Sequence, residues 1–227
     1  MSNCPISFQD LTPAAQKAAS PSAPAPARMM AARGLAPMQP RDLVTTQYVL
    51  TFDADPKIAD AAQKSLKGLD QRLANAVLSD TALNPFVLAA LAEFLVERDA
   101  DVARILLNPS TPNSAFITAA SKGSEAICEV VANNQARVLK NPEIARALHQ
   151  NSQALRSTTE RVIDFLVRNG VMLDDMPEFY SGAEKTVERL GRVASGIGAL
   201  AVLGGSTEFL RVGGRVAMTH TDITATV

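Results

Sequence analysis

The chain has 227 residues, which is enough for one large domain or two small ones with a buried core. Hydrophobic residues make up 47% of it and aromatic residues only 4%, so the core must be built from Ala, Leu, Val and Ile, which suits closely packed helices. The formal net charge of −1 gives no global attraction to nucleic acid or to an anionic membrane.

Residues 1–38 have the composition of a flexible leader. The segment 18–28, AASPSAPAPAR, is almost entirely Ala, Pro and Ser, which favours extended conformations and does not build a packed core. Thr12 and Pro13 suit the start of a short helix, but the segment offers nothing to hold that helix. The sequence therefore predicts a disordered Ala/Pro/Ser-rich leader over 1–38, followed by a helical-repeat domain over 39–170.

The segment 41–52, RDLVTTQYVLTF, leaves two interpretations open. Val44, Thr46 and Tyr48 alternate as in a strand, and the content of β-branched residues is high. The repeat described next instead requires a short helix before Pro56, and helix is our prediction.

From residue 55 onward, a capping residue is followed at once by proline at four places. Such a pair fits a helix start, because Asp, Asn or Thr accepts a hydrogen bond from a free backbone N–H and proline fits the first helical position. The capping residues are separated by 29, 27 and 30 positions, a near-constant step that indicates a repeat. The pairs are Asp55 with Pro56, Asn84 with Pro85, Thr111 with Pro112, and Asn141 with Pro142.

Each step also contains a shorter predicted helix before the proline-started one. Each short segment ends near Asp or Asn, residues that stop helices and tolerate turns. The helix after Pro85 is apolar nearly all round, so we expect it to be covered on several sides. One unit is thus a short helix, a polar turn and a proline-started helix, with the short helices over 72–80, 101–109 and 124–134.

The C-terminal part departs from this pattern. Residues 157–169 form a predicted amphipathic helix that opens with a capping box of Ser157 and Glu160. The remaining domain, 171–227, is predicted to be a loop, a weaker capping helix over 183–201 and an irregular Gly-rich tail. Within that tail FLRVGGRVAM, 209–218, places Gly-Gly between two Arg-Val pairs and suits a two-residue hairpin.

The two-helix unit with its Asn-Pro-x-Thr-Pro turn resembles bacterial HEAT-like and leucine-rich-repeat-variant proteins. The segments LLNPSTPNSAFI (106–117) and VVANNQARVLKNPEIARAL (130–148) carry this resemblance, which covers about residues 40–170. It implies an all-α fold, a short right-handed α-solenoid of helix-turn-helix repeats, and a protein-binding role. Some leucine-rich-repeat-variant proteins hold an iron–sulfur cluster on a Cys-rich segment, but this chain has only Cys4 and Cys128, so that site does not carry over.

No motif in the sequence predicts catalysis. His149 has no Cys, His or carboxylate three or four residues away, and His220 lies in no nucleophile motif. The Gly-rich segment 196–205 lacks the Lys-Ser/Thr pair of a phosphate-binding loop. We interpret the acidic cluster of Asp174, Asp175 and Glu178 as part of a solvated loop and not as a metal site. We therefore expect a non-enzymatic protein with no catalytic residue, cofactor or metal.

Partner binding is predicted for a modestly basic stretch over 137–168. Because no aromatic platform interleaves its charges, the favoured partner is an unidentified protein, and the chain is predicted to be a scaffold or adaptor. A nucleic-acid-binding array using the same face is an alternative, and a regulatory fragment of a larger protein is another. The candidate residues are Arg137, Lys140, Arg146 and Arg156.

A cytoplasmic location follows from three negative observations. Two distant cysteines do not make a disulfide framework, which favours a reducing compartment. The N-terminus lacks the apolar core of a signal peptide. No segment approaches the roughly 18–20 apolar residues that a bilayer span needs, so we expect no membrane insertion.

Overall fold

The computed structural model describes residues 4–171, 173, 176, 206–212 and 215–221. The chain divides into two compact units, Met1–Val131 and Ala132–Val227, which are described separately. The helices of the described residues are α1 (Pro13–Ala19), α2 (Ala25–Ala32), α3 (Pro40–Leu50), α4 (Pro56–Lys67), α5 (Gln71–Val77), α6 (Pro85–Phe94), α7 (Asp99–Leu107), α8 (Asn113–Lys122), α9 (Glu125–Asn133), α10 (Gln135–Lys140), α11 (Glu143–Gln150) and α12 (Arg156–Arg168).

The helical prediction is confirmed over most of the described chain, with one hairpin near the C-terminus. Strands β1 (Ser206–Val212) and β2 (Arg215–Thr221) pair antiparallel, with Val212 opposite Arg215. The two strands of the predicted hairpin are therefore present, so the prediction of an irregular tail is wrong over these residues. The predicted capping helix over 183–201 lies outside the described residues.

The ambiguous segment 41–52 is helical, as α3 shows. Pro40 occupies its first turn, and Val44, Tyr48 and Leu50 are all buried. Because α3 packs against α1, α2 and α4, residues on more than one of its sides are covered. The alternation of apolar residues in this segment reflects burial around the helix and not a strand.

Two of the four predicted N-caps are confirmed. The Asp55 carboxylate accepts a hydrogen bond from the backbone N–H of Lys57 at 2.9 Å and opens α4. The Asn84 side-chain oxygen accepts from the N–H of Phe86 at 2.9 Å and opens α6. In both helices proline follows the cap directly, as the pattern predicts.

The N-caps predicted at Thr111 and Asn141 are wrong. The Thr111 hydroxyl donates to the carbonyl of Ile105 in α7, and α8 begins at Asn113. The Asn141 amide donates to the carbonyl of Arg137 at 3.1 Å, so Asn141 ends α10. Both side chains satisfy the carbonyls of the preceding helix, which is the other half of the capping chemistry.

The capping box at Ser157 is also wrong, and α10 is an additional helix. Helix α12 begins at Arg156 after Leu155, which places Ser157 inside its first turn. Helix α10 opens at Asn134, whose side chain accepts from the N–H of Arg137 at 3.3 Å. The fourth predicted unit therefore contains one more short helix than the pattern indicates.

The predicted disordered leader is ordered from Cys4 onward, which corrects that prediction. Residues Phe8–Asp10 form a 3-10 turn, and α1 and α2 pack against α3 and α4. The physical reason lies in the alanines, because their small side chains let two helices approach closely with little loss of side-chain entropy. The buried residues of this segment are Ile6, Leu11, Ala15, Ala19, Ala31 and Ala32.

An ion pair also joins the N-terminal segment to the rest of the first unit. Arg28 of α2 donates to both carboxylate oxygens of Asp53, at 3.0 and 2.8 Å. The Asp53 side chain is fully buried, and it also accepts from the backbone N–H of Asp55 at 2.9 Å. A buried carboxylate needs such partners, so this pair fixes α2 relative to the α3–α4 turn.

The first unit contains one close approach that depends on a glycine. Gly123 ends α8 with an ordinary backbone conformation, φ −72°. A Cβ placed there would lie 2.4 Å from the carbonyl oxygen of Ala119 and 2.6 Å from a methyl carbon of Ile127. Glycine is required at this position for space between the end of α8 and the start of α9.

Candidate functional site

Two of the four residues predicted to bind a partner are half-buried. Arg137 lies on α10, which packs against α11 and α12, and this burial lowers the pKa of its guanidinium from the ordinary value. Arg146 of α11 is 25% exposed and forms an ion pair with Glu143, one turn earlier. Neither of these two arginines is fully exposed.

The other two predicted residues are exposed on separate helices. Lys140 lies at the end of α10 and Arg156 at the start of α12. Arg156 donates to a carboxylate oxygen of Glu160 at 2.9 Å. In the same helix Arg168 pairs with Asp164 at 2.8 Å. Much of the positive charge in the 137–168 stretch is thus matched by a carboxylate one turn away on the same helix.

The described residues do not contain a group of three or more His, Cys, Asp or Glu that could hold a metal ion. His149 is an exposed residue of α11. The acidic residues Asp174, Asp175 and Glu178 lie outside the described residues.

Four turns in the first unit carry the same side-chain hydrogen bond. Each turn joins two consecutive helices, and in each a side-chain oxygen accepts from the backbone N–H two residues later. The last three acceptors follow one another at steps of 27 and 28 residues. The bonds are Ser20 from Ser22 at 3.2 Å, Asp53 from Asp55 at 2.9 Å, Asp80 from Ala82 at 2.8 Å, and Asn108 from Ser110 at 2.9 Å.

Asn108 also joins its own turn to the preceding one. Its side-chain amide donates to the carbonyls of Leu78 and Asp80, each at 3.0 Å, and the residue is only 4% exposed. Beside it, the Ser110 hydroxyl donates to the carbonyl of Thr81 at 2.6 Å. These three bonds link residues 28, 29 and 30 positions apart, which matches the spacing of the helix starts.

A second polar network joins α5 to α7 at the same spacing. Asp101 is buried, and its carboxylate accepts from the Gln71 amide at 3.1 Å and lies 3.5 Å from the Arg104 guanidinium. Arg98 pairs with the same carboxylate and donates to Gln71 at 3.1 Å. Arg104 also donates to Asn75. The network satisfies a buried charge from two helices and so restricts how they pack.

The described residues of the first unit form a cleft of about 510 Å³. One wall comes from the N-terminal segment and the start of α3, and the other from the α5–α6 turn. Hydroxyl groups of Thr12, Thr45, Thr81 and Ser110 line it together with apolar atoms of Leu11 and Leu83. Its size is that of an ordinary ligand or peptide pocket.

The charges of the cleft are partly matched. The cleft is lined by three charged residues, Asp10, Arg41 and Asp42. The Arg41 guanidinium lies 3.6 Å from a carboxylate oxygen of Asp80. The carboxylates of Asp10 and Asp42 form no ion pair or hydrogen bond with other described residues. Asp42 lies in the first turn of α3, where a negative charge is favoured by the helix dipole.

Two partly exposed aromatic side chains lie next to the cleft in sequence. Phe8, two residues before Asp10, is 39% exposed, and Phe86, adjacent to Pro85, is 49% exposed. Sequence reasoning missed this site because five of its lining residues belong to the segment assigned to a leader. One available signal was Thr12 followed by Pro13, the same cap-proline pattern that marks the later helices.

Among the described residues, no helix combines the length and the apolar character that a bilayer span requires.

Comparisons with protein-family models, curated proteins and solved structures found no match to this chain.

Proposed function

We propose that the chain is a non-enzymatic helical-repeat scaffold that binds another protein, with its helix pairs stacked as a short right-handed α-solenoid. The observation that carries the proposal is the set of bonds from Asn108 to the carbonyls of Leu78 and Asp80. They join equivalent turns of successive helix pairs. Repeat arrays depend on such contacts, because each unit buries its core only against its neighbours.

The N-terminal segment supports the same proposal, because α1 and α2 can be described as an additional helix pair of the array. Helix α1 contacts α3 and α2 contacts α4, as α6 contacts α8 further along. Pro13 and Pro40, which open α1 and α3, are 27 residues apart, a step seen again later in the chain. In this interpretation α1 and α2 form the first helix pair of the array and cover its end.

The cleft of the first unit is the contact surface that the proposal favours. Arginine and aromatic residues dominate the energetics of protein interfaces; Arg41 lines this cleft, and the partly exposed Phe8 and Phe86 are close in sequence to lining residues. The stretch around Arg137 and Arg146 is less suited, because both side chains are half-buried and Arg146 is paired with Glu143.

The test is capture followed by reconstitution. The tagged full chain is used to recover proteins from extracts of the native cells, and each candidate is purified and titrated against the chain by calorimetry. The proposal expects one protein to bind in a defined stoichiometry with a Kd of about 10 µM or tighter.

A matched measurement addresses the nucleic-acid alternative. Mixed-sequence DNA and RNA are titrated against the same chain in gel shifts at two salt concentrations. Binding that weakens steeply with salt, together with no stoichiometric protein partner, would refute the scaffold function in favour of a nucleic-acid array.

A further inference from the structure

We infer that the cleft between α1, the start of α3 and the α5–α6 turn receives a lysine or arginine side chain from an extended segment of the protein partner. This inference rests on the proposed scaffold function and adds the chemistry of the partner. Its basis is the balance of charge in the cleft, the groups that line it and its size.

The charge of the cleft favours a cation. The lining carries two carboxylates and one guanidinium, a formal charge of −1, and Asp80 beside Arg41 makes it −2. The N-termini of α1, α3 and α6 all lie at the cleft, and each contributes at most about half a positive charge, which together offset less than the side-chain charge of −2. At the start of α6, the N–H of Phe86 is already bonded to Asn84. The balance therefore remains negative.

The polar groups of the lining suit an ammonium or guanidinium group. Each of these cations carries several N–H donors that need acceptors when water is removed. The carboxylates of Asp10 and Asp42 are available, and the hydroxyls of Thr45 and Thr81 add further acceptors. Charge-assisted bonds to carboxylates are stronger than neutral ones, so these two aspartates should dominate recognition.

The size and flanks of the cleft suit a side chain carried by a peptide. A volume of about 510 Å³ exceeds that of a single ion and holds a long side chain with adjoining backbone. Leu11 and Leu83 provide apolar surface for the methylene stem, as lysine and arginine stems require. Phe8 and Phe86 are partly exposed and are close in sequence to the lining residues Asp10 and Pro85.

The experiment uses fluorescent peptides of defined composition and the full chain. Three peptides share an Ala/Leu/Ser background and carry two central arginines, two glutamines or two glutamates. Fluorescence anisotropy measures each Kd at low and physiological salt. The arginine peptide should bind, with at least tenfold preference over the glutamine peptide, and its affinity should fall as salt is raised.

Matched variants locate the binding. Asp10→Asn combined with Asp42→Asn should weaken the arginine peptide by about three- to tenfold, as expected for two partly exposed charge pairs. Asp60→Asn, at an exposed α4 residue with no bonded partner among the described residues, should leave the affinity unchanged. Circular dichroism of every variant establishes that the chain is folded.

Three results would overturn the inference: equal binding of the arginine and glutamine peptides, no binding of any peptide, or an unchanged affinity in the double variant. The reconstituted partner separates this from the scaffold function. A partner that binds wild type and double variant equally refutes the cleft assignment and leaves the scaffold function standing.

Discussion

Replacing Asn108 with alanine should destabilise the chain by about 2–5 kcal/mol. The side chain makes three hydrogen bonds, two as donor to the carbonyls of Leu78 and Asp80 and one as acceptor from the N–H of Ser110. The Leu78 carbonyl is in a fully buried bond, so losing its partner should cost about 1–3 kcal/mol. The other two groups are partly reachable by water, and each should contribute about 0.5–1 kcal/mol.

Urea denaturation followed by far-ultraviolet circular dichroism measures the effect, with two asparagine variants as controls. Asn84→Ala removes one exposed cap bond and should cost about 1 kcal/mol. Asn75→Ala removes the exposed side-chain bonds from Gln71 and Arg104 and should cost about 0.5 kcal/mol. If Asn108→Ala is no more destabilising than Asn75→Ala, the buried bonds between turns contribute no more than exposed side-chain bonds, and the main support for the repeat array is lost.

Three further changes test other parts of the structure. Arg28→Ala should cost about 1–3 kcal/mol, because it leaves the buried Asp53 carboxylate with the backbone N–H of Asp55 as its one partner among the described residues; an unchanged urea midpoint would show that this pair does not hold the N-terminal segment. Leu91→Ala, at a fully buried α6 position, should cost about 2–5 kcal/mol through a cavity, and a wild-type melting temperature would contradict the core described above. Burial, and secondarily the nearby Cys4, raises the pKa of Tyr48, so its contribution to stability is intact below its ordinary pKa of about 10 and is lost as pH rises towards the raised value. Urea melts between about pH 9 and 11 should show this loss in wild type and a smaller one in Tyr48→Phe.

The sequence predicted those elements whose signals are local. Asp55 and Asn84 cap helices through bonds to N–H groups two residues away, so residue type and spacing are enough to find them. Thr111 and Asn141 have the same residue chemistry and the same following proline. Both bond backward to the preceding helix, and the helices that follow begin at Asn113 and Glu143, which the local pattern does not encode.

The prediction for the N-terminal segment was wrong because alanine content alone does not distinguish a disordered segment from a packed helix. Ala15 and Ala31 are completely or almost completely buried, but their small apolar surface gives little signal in composition. Whether such a helix is ordered depends on the surface that receives it, here α3 and α4, and on one ion pair between Arg28 and Asp53.

The candidate site was beyond sequence reasoning for a related reason. Asp10, Arg41 and Thr81 line one cleft although about 70 residues separate the first from the last. The basic stretch of the sequence instead predicted a binding surface at Arg137 and Arg146, because arginine side chains are usually exposed to solvent. Helix packing in the second unit covers much of both side chains, which residue type does not reveal.

Gly123 has a consequence for which sequences this fold accepts. A Cβ there would collide with the Ala119 carbonyl, a backbone atom that a rotamer change does not move aside. At Gly68 the nearest atom to a Cβ would be the Lys64 carbonyl at 3.3 Å, where a small shift relieves the contact. A saturation library selected for folded protein should therefore retain alanine and serine at position 68 but almost nothing except glycine at 123. An ancestor of this chain that carried a side chain at 123 would have needed a wider junction between α8 and α9.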